Sequence, residues 1–302
     1  MPPTPTSLLV LGIVYGLLAA VAHAIAFVVS RRYIVQGHGS SLRLMVTSHA
    51  MMGMLAAALL LPLWSPELRQ VRSWGPPALG ASLTYLFGQA LFLAALKHTV
   101  SSRLVPLLGL KVVAVVPVAL IFLNETLRWP QAAAVALSLV AGTMLHRIGG
   151  RLPWRSLLLI LVAVCLFAMS DVFIVVLVPH LGAGFAAAAR SVGVCYGICG
   201  LAALALLPWQ GSRRLRDWLA AAPYVACWLP SMYLLFACLA LCGPVLGNIV
   251  IGTRGLFAIV LGTILAARGM LHIEHHASRG VVLRRIGAVV LMIVAIAIYG
   301  LR

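Results

Sequence analysis

Apolar residues run through this chain in blocks of about 20, and the arginines, prolines and glycines collect in the short connections between them. Blocks of that length and continuity have the period of no half-buried strand or amphipathic surface helix; they read as membrane-spanning helices. Ten can be marked, at 7–30, 41–63, 76–97, 102–124, 130–148, 155–178, 183–207, 218–241, 244–267 and 281–301. The connections, such as "SPELRQVRSWGPP", "RIGGRLPWR" and "PWQGSRRLRDW", leave no room for a separate soluble domain. The fold class predicted is all-α, a polytopic membrane protein of ten transmembrane helices. The first block ends in a mimic of a secretory cleavage site, Ala22-His23-Ala24. It lacks a basic leader and continues to Val29, so it reads as an uncleaved first helix.

The blocks repeat. Gly109 and Lys111 in "LLGLKVVAVV" align with Gly252 and Arg254 in "VIGTRGLFAIV". Tyr85-Leu86 aligns with Tyr233-Leu234, and Pro62 with Pro208, in the same order along the chain. The spacing predicts two five-helix repeats, 1–150 and 151–302. Because five is odd, the second must lie inverted in the bilayer, an arrangement common in secondary transporters.

Composition agrees with this picture and narrows it. The chain is 63% hydrophobic and 9% charged, with 22 Lys and Arg against five acids, a net charge of +17. In a soluble protein that balance would suggest nucleic acid. Here the arginines lie between apolar blocks, where they anchor helices and meet anionic lipid head groups, and nucleic-acid binding is not expected. Fifteen of the basic residues fall in the odd-numbered connections and five in the even-numbered ones and the C-terminus, which would place the odd connections in the cytoplasm. The six cysteines all fall within blocks, and Cys195/Cys199 and Cys238/Cys242 have neither zinc-finger nor disulfide-framework spacing. They read as small packing residues. The Arg, Ala and Leu bias suggests a bacterial inner membrane.

The stretch "HTVSSRLVPLLGLKVVAVVPVALIFLNETLRWPQAAAVALSLVAGTML", with Pro117, Glu125 and Gly142, resembles the fourth and fifth helices of the drug/metabolite transporter superfamily, EamA type. "TRGLFAIVLGTILAARGMLHIEHHASRGVVLRRIGAVVLMIVAIA" resembles the second copy, with Arg285 and Gly287 opening the last helix. The resemblance implies a ten-helix carrier whose central cavity is lined by helices of both halves. It also implies two cytoplasmic termini, against the charge count, so the orientation stays open.

Two cations, Lys111 and Arg254, stand in the middle of their blocks, where a charge costs about 2.5–3.5 kcal/mol on insertion scales. Each must face a polar cavity or a partner. One acid lies within a block, Asp171, and a single carboxylate cannot neutralise both cations. An anionic substrate would supply the missing charge, the guanidinium as a bidentate fork and the ammonium as a point charge. The alternative is a purely structural ion pair. The placement is similar to that of the organic-phosphate translocators, which carry basic residues on the fourth and ninth helices. Gly255 stands where those have a second basic residue, leaving carboxylate or sulfate open beside phosphate. Further candidates for the cavity lining are His49, Tyr85, Gln89, Trp228, Tyr233 and Asn248; Asp171 and His23 are candidates for proton coupling. Each of these could instead bridge helices. "HIEHH" (His272, Glu274, His275, His276) reads as a solvated turn rather than a metal site, and no metal or cofactor is expected. Residues 7–30 contain no acid, which disfavours the cationic-drug export that small multidrug exporters run on a first-helix glutamate.

The function predicted is secondary transport of a small anionic metabolite by alternating access, with membrane lipid as the other partner and a monomer or homodimer as the unit. Alternatives are a flippase or scramblase that grips a phospholipid head group, and a carrier for amino-acid-like or neutral metabolites. An enzyme is not expected, since no block pairs a nucleophile with a base and an orienting group.

Overall fold

The computed structural model describes residues 5–37, 39–97, 104–123, 128–146, 153–211, 214–269 and 279–300. These residues form α1 (Pro5–Val35), α2 (Ser41–Leu60), α3 (Val71–Leu96), α4 (Lys111–Phe122), α5 (Trp129–His146), α6 (Trp154–His180), α7 (Gly184–Gln210), α8 (Leu215–Gly252), α9 (Arg254–Ala267) and α10 (Arg279–Gly300). Short 3-10 helices span Pro66–Arg69 and Val105–Leu110, and the described residues contain no strand. The molecule is all-α and polytopic. Among the described residues, six stretches are long and apolar enough to cross a bilayer: Thr6–Val35, Ser41–Leu60, Val71–Leu96, Trp154–His180, Gly184–Gln210 and Leu215–Ala267.

The last of these runs for 53 residues, about 80 Å if straight, far more than a bilayer core of about 30 Å. It is folded instead. Gly243 takes φ 74, ψ 172, a conformation open to a residue without Cβ, and Pro244 disfavours the α region before it. The chain doubles back there: a Cβ on Gly247 would lie 3.6 Å from Leu239 Cα. In a straight helix these two residues would stand about 12 Å apart. The break at Gly243 falls in the gap expected between blocks 218–241 and 244–267, although the backbone pattern joins its two arms into α8.

Other boundaries differ modestly from the sequence reading. The first helix continues to Val35, the third starts at Val71, and the fourth block opens as a 3-10 turn before α4. Glu125 and the His272–His276 run lie outside the described residues, as does the side chain of Arg285; Gly142 falls within α5.

The long helices pack in four principal pairs: α1 on α8, α3 on α6, α2 on α7 and α5 on α10. α2 and α7 approach closely where Gly53 meets Gly200, and a Cβ on Gly200 would sit 2.6 Å from Gly53 Cα. Small residues let helices approach where lipid offers no hydrophobic driving force. The outer surface is apolar: Phe87, Ile121 and Leu201 are more than 60% exposed. Trp64, Trp129, Trp154 and Trp209 are all highly exposed and lie at or next to helix ends, the position of an interfacial aromatic belt. Two of the arginines have work at helix ends besides meeting lipid. Arg31 donates to Leu96 O at 3.0 Å, and Arg190 to Leu63 O and Leu181 O at 2.8 and 2.9 Å, satisfying terminal carbonyls. The six cysteines are free, and Cys195, Cys199 and Cys238 are buried in the helix packing.

Candidate functional site

Lys111 and Arg254 are each the first residue of a helix. Leu110, before Lys111, has φ −64, ψ −11; Thr253, before Arg254, has φ −61, ψ −17. Both are tighter than α-helical values, so at each cation the block is broken and restarted rather than continuous. Thr253 Oγ1 donates to Val250 O at 2.7 Å and occupies a carbonyl beside that break. Lys111 N–H donates to Leu108 O and Thr253 N–H to Val250 O, so the backbone hydrogen bonds carry on through each break and the positive charge of the region rests on the two side chains.

The two side chains line one cavity of about 40 Å³, room for a few waters, together with Asp171, His23, Tyr85, Tyr196 and Trp228. Lys111 and Arg254 are 3% and 5% exposed, and so belong to the interior and not to an interface. Their partners differ. Lys111 Nζ lies 2.6 Å from Asp171 Oδ2, and Asn248 Nδ2 donates to the same oxygen at 2.7 Å. Asn248 is itself held by Pro244 O at 2.8 Å, the residue after the Gly243 turn. Arg254 makes no close ion pair among the described residues, its Nε is buried without a hydrogen bond there, and the Asp171 charge reaches it only through space. Its guanidinium sits 6.0 Å from the Phe27 ring centroid, a cation–π contact that offsets part of the burial.

A second layer is polar and ordered. His49 Nδ1 lies 2.8 Å from Met45 O; a carbonyl can only accept, so Nδ1 carries the hydrogen. His49 Nε2 then accepts from Tyr85 OH at 3.1 Å, Tyr85 accepts from Tyr196 at 3.0 Å, and Tyr196 accepts from Trp228 Nε1 at 2.7 Å. The chain of donors runs one way through α8, α7, α3 and α2. Gln89 donates to Tyr224 OH at 2.8 Å, and Tyr224 stacks on Trp228 with ring centroids 5.3 Å apart.

Of the residues expected at the site, Lys111, Arg254, Tyr85, Trp228, Asp171 and His23 line the cavity. Asn248 stands behind Asp171, His49 behind Tyr85, and Gln89 in the layer around Tyr224. Tyr233 is apart: it is half-buried, and its hydroxyl has no partner among the described residues. On the second half it is Trp228 that lines the cavity near Tyr85, with ring centroids 6.5 Å apart. Asp171 and His23 share the cavity but not a hydrogen bond; His23 Nε2 is 3.4 Å from Met232 Sδ and its ring packs 4.7 Å from Trp228. Tyr196 and Phe27 were not legible as site residues. Only the offset that relates Lys111 to Arg254, applied to Tyr85, would have pointed to Trp228, and nothing in the sequence marked Tyr196.

Residues 10–146 match the EamA-like transporter family. The chain also superposes on the crystal structure of a protein with a TM-score of 0.64 at 18% identity, over 99% of this chain and 98% of that one. At that identity the likeness is one of fold. No curated protein matches the chain.

Proposed function

For a chain that belongs, through residues 10–146, to the EamA-like transporter family of the drug/metabolite transporter superfamily, and is thus an integral membrane transporter, we propose secondary transport of a small anionic metabolite by alternating access. The observation that carries this reading is Arg254: a cation 5% exposed that lines a cavity, makes no close ion pair among the described residues, and feels the Asp171 charge only through space, since that carboxylate is held by Lys111. Burying an uncompensated charge is costly, and a protein that keeps one at a cavity wall has a place for a counter-charge. Lys111, already paired with Asp171, supports the site as a second cation.

The division into repeats 1–150 and 151–302 is part of this proposal. Exchanging the halves turns the α1–α8 pair into the α6–α3 pair and leaves α2–α7 and α5–α10 unchanged, as an internal two-fold would require. A cavity of about 40 Å³ is too small for a metabolite, so a substrate must part the helices that close it. Tyr85, Trp228 and the groups behind them are proposed to shape the rest of the site. We place the protein in a bacterial inner membrane, acting without a covalent step and with lipid as its surroundings. A head-group flippase would share the same cations.

The test is counterflow of organic and inorganic anions into proteoliposomes, comparing the wild type with Arg254→Gln. Anion-dependent exchange that disappears in the variant supports the reading. Exchange of the same size in both proteins overturns it.

A further inference from the structure

We infer that the site is built for a substrate group carrying one negative charge, and that Asp171 sets this count; the inference rests on the anion site proposed above. Four side chains lining the cavity carry a charge or can take one up near neutral pH: Lys111, Arg254, Asp171 and His23. Lys111 and Asp171 meet at 2.6 Å and cancel. With His23 taken as the neutral imidazole, beside Met232 Sδ, the lining carries a single net positive charge, and it is on Arg254. A monoanion brings the buried site to zero. A dianion leaves one unneutralised negative charge in a place with little water to screen it, and the penalty for such a charge is large in a low-dielectric interior.

The geometry of Asp171 favours this role over simple helix joining. Both of its contacts, from Lys111 Nζ and Asn248 Nδ2, go to the one oxygen Oδ2. Asn248 is fixed in turn by Pro244 O beside the α8 turn, which holds the carboxylate on the Lys111 side of the cavity and leaves Arg254 open. Asp171 is therefore a resident anion for one cation, and the transported anion serves the other. The reading excludes substrates whose recognised group is a doubly charged phosphate or a dicarboxylate, and admits monocarboxylates, sulfate esters and phosphodiesters.

Asp171→Asn keeps the shape and an oxygen for both donors while raising the site by one charge. The experiment is binding to the purified full chain in detergent by isothermal titration, with two pairs that differ by one charge and are close in size: methyl sulfate against sulfate, and succinamate against succinate. Wild type should favour the monoanion of each pair by at least about tenfold, and Asp171→Asn should reverse the order. The double variant Lys111→Gln/Asp171→Asn, back to one net charge, should favour monoanions again. Anion binding that prefers dianions in the wild type, or a preference that Asp171→Asn leaves unmoved, overturns the inference while sparing the anion site. If neither charge class binds any of the proteins, the anion site itself fails. Should Asp171→Asn not fold, the wild-type preference and the double variant decide the matter alone.

Discussion

Lys111 Nζ reaches Asp171 Oδ2 across 2.6 Å, joining α4 to α6 with both side chains about 95% buried. The contact gives the two membrane cations opposite dependences on mutation, because one leaves an orphaned charge behind when it is removed and the other does not.

Lys111→Met strands a buried carboxylate, and should cost about 3–5 kcal/mol of stability. Lys111→Met/Asp171→Leu removes both charges and should recover most of that loss. Thermal unfolding in detergent of the two single variants and the double measures the coupling. Additive losses would mean that the pair does not interact.

Arg254→Gln removes a cation with no close ion pair among the described residues, so stability should change by less than about 1 kcal/mol or even rise. Anion-dependent stabilisation, expected at about 2.7 kcal/mol for a ligand at 100 times its Kd, should vanish. Thermal shift with and without anion separates the two effects. A variant as damaged as Lys111→Met would point to a structural role for Arg254.

Tyr85→Phe breaks the one-way chain at its centre. It leaves His49 Nε2 without a donor and the Tyr196 hydroxyl without an acceptor, at about 1–3 kcal/mol per buried unsatisfied group. Tyr233→Phe, whose hydroxyl has no partner among the described residues, should be close to neutral. Paired melting curves check the contrast, and equal losses would remove Tyr85 from its special position.

Gly200→Ala drives a methyl group against Gly53 and should destabilise the α2–α7 pair by about 1–3 kcal/mol. Gly197, one turn earlier on α7, has open space where its Cβ would be, and Gly197→Ala should be neutral or stabilising by a few tenths of a kcal/mol. Chemical unfolding of both variants tests whether the close approach exists.

Much of the architecture was open to reading in the chain because the bilayer allows few solutions. A backbone in hydrocarbon must satisfy its own hydrogen bonds, so a block of apolar residues between basic connections has to be a helix. By the same physics Lys111, Arg254 and Asp171 stood out: a charge in such a block is expensive enough that its position alone is informative. The sequence also related Lys111 to Arg254, and the matching backbone breaks at Leu110 and Thr253 give that relation a physical form.

What the sequence could not decide was who faces whom. That Asp171 pairs with Lys111 and leaves Arg254 open depends on how α6, α4 and α9 converge, and no local pattern encodes a contact between residues 60 positions apart. Tyr85 was matched in sequence with Tyr233, but the helix turns Trp228 toward the cavity, since one residue's step rotates a side chain by about 100°. Tyr196 and Phe27 joined the site for the same reason: their neighbours in sequence are ordinary helix residues, and only packing gives them a cavity wall. The chain alone thus determined the helices and the charges they carry. The tertiary structure decided which charge was already neutralised and which stood without a close ion pair among the described residues, because neutralisation requires contact at about 3 Å, a distance set by the fold.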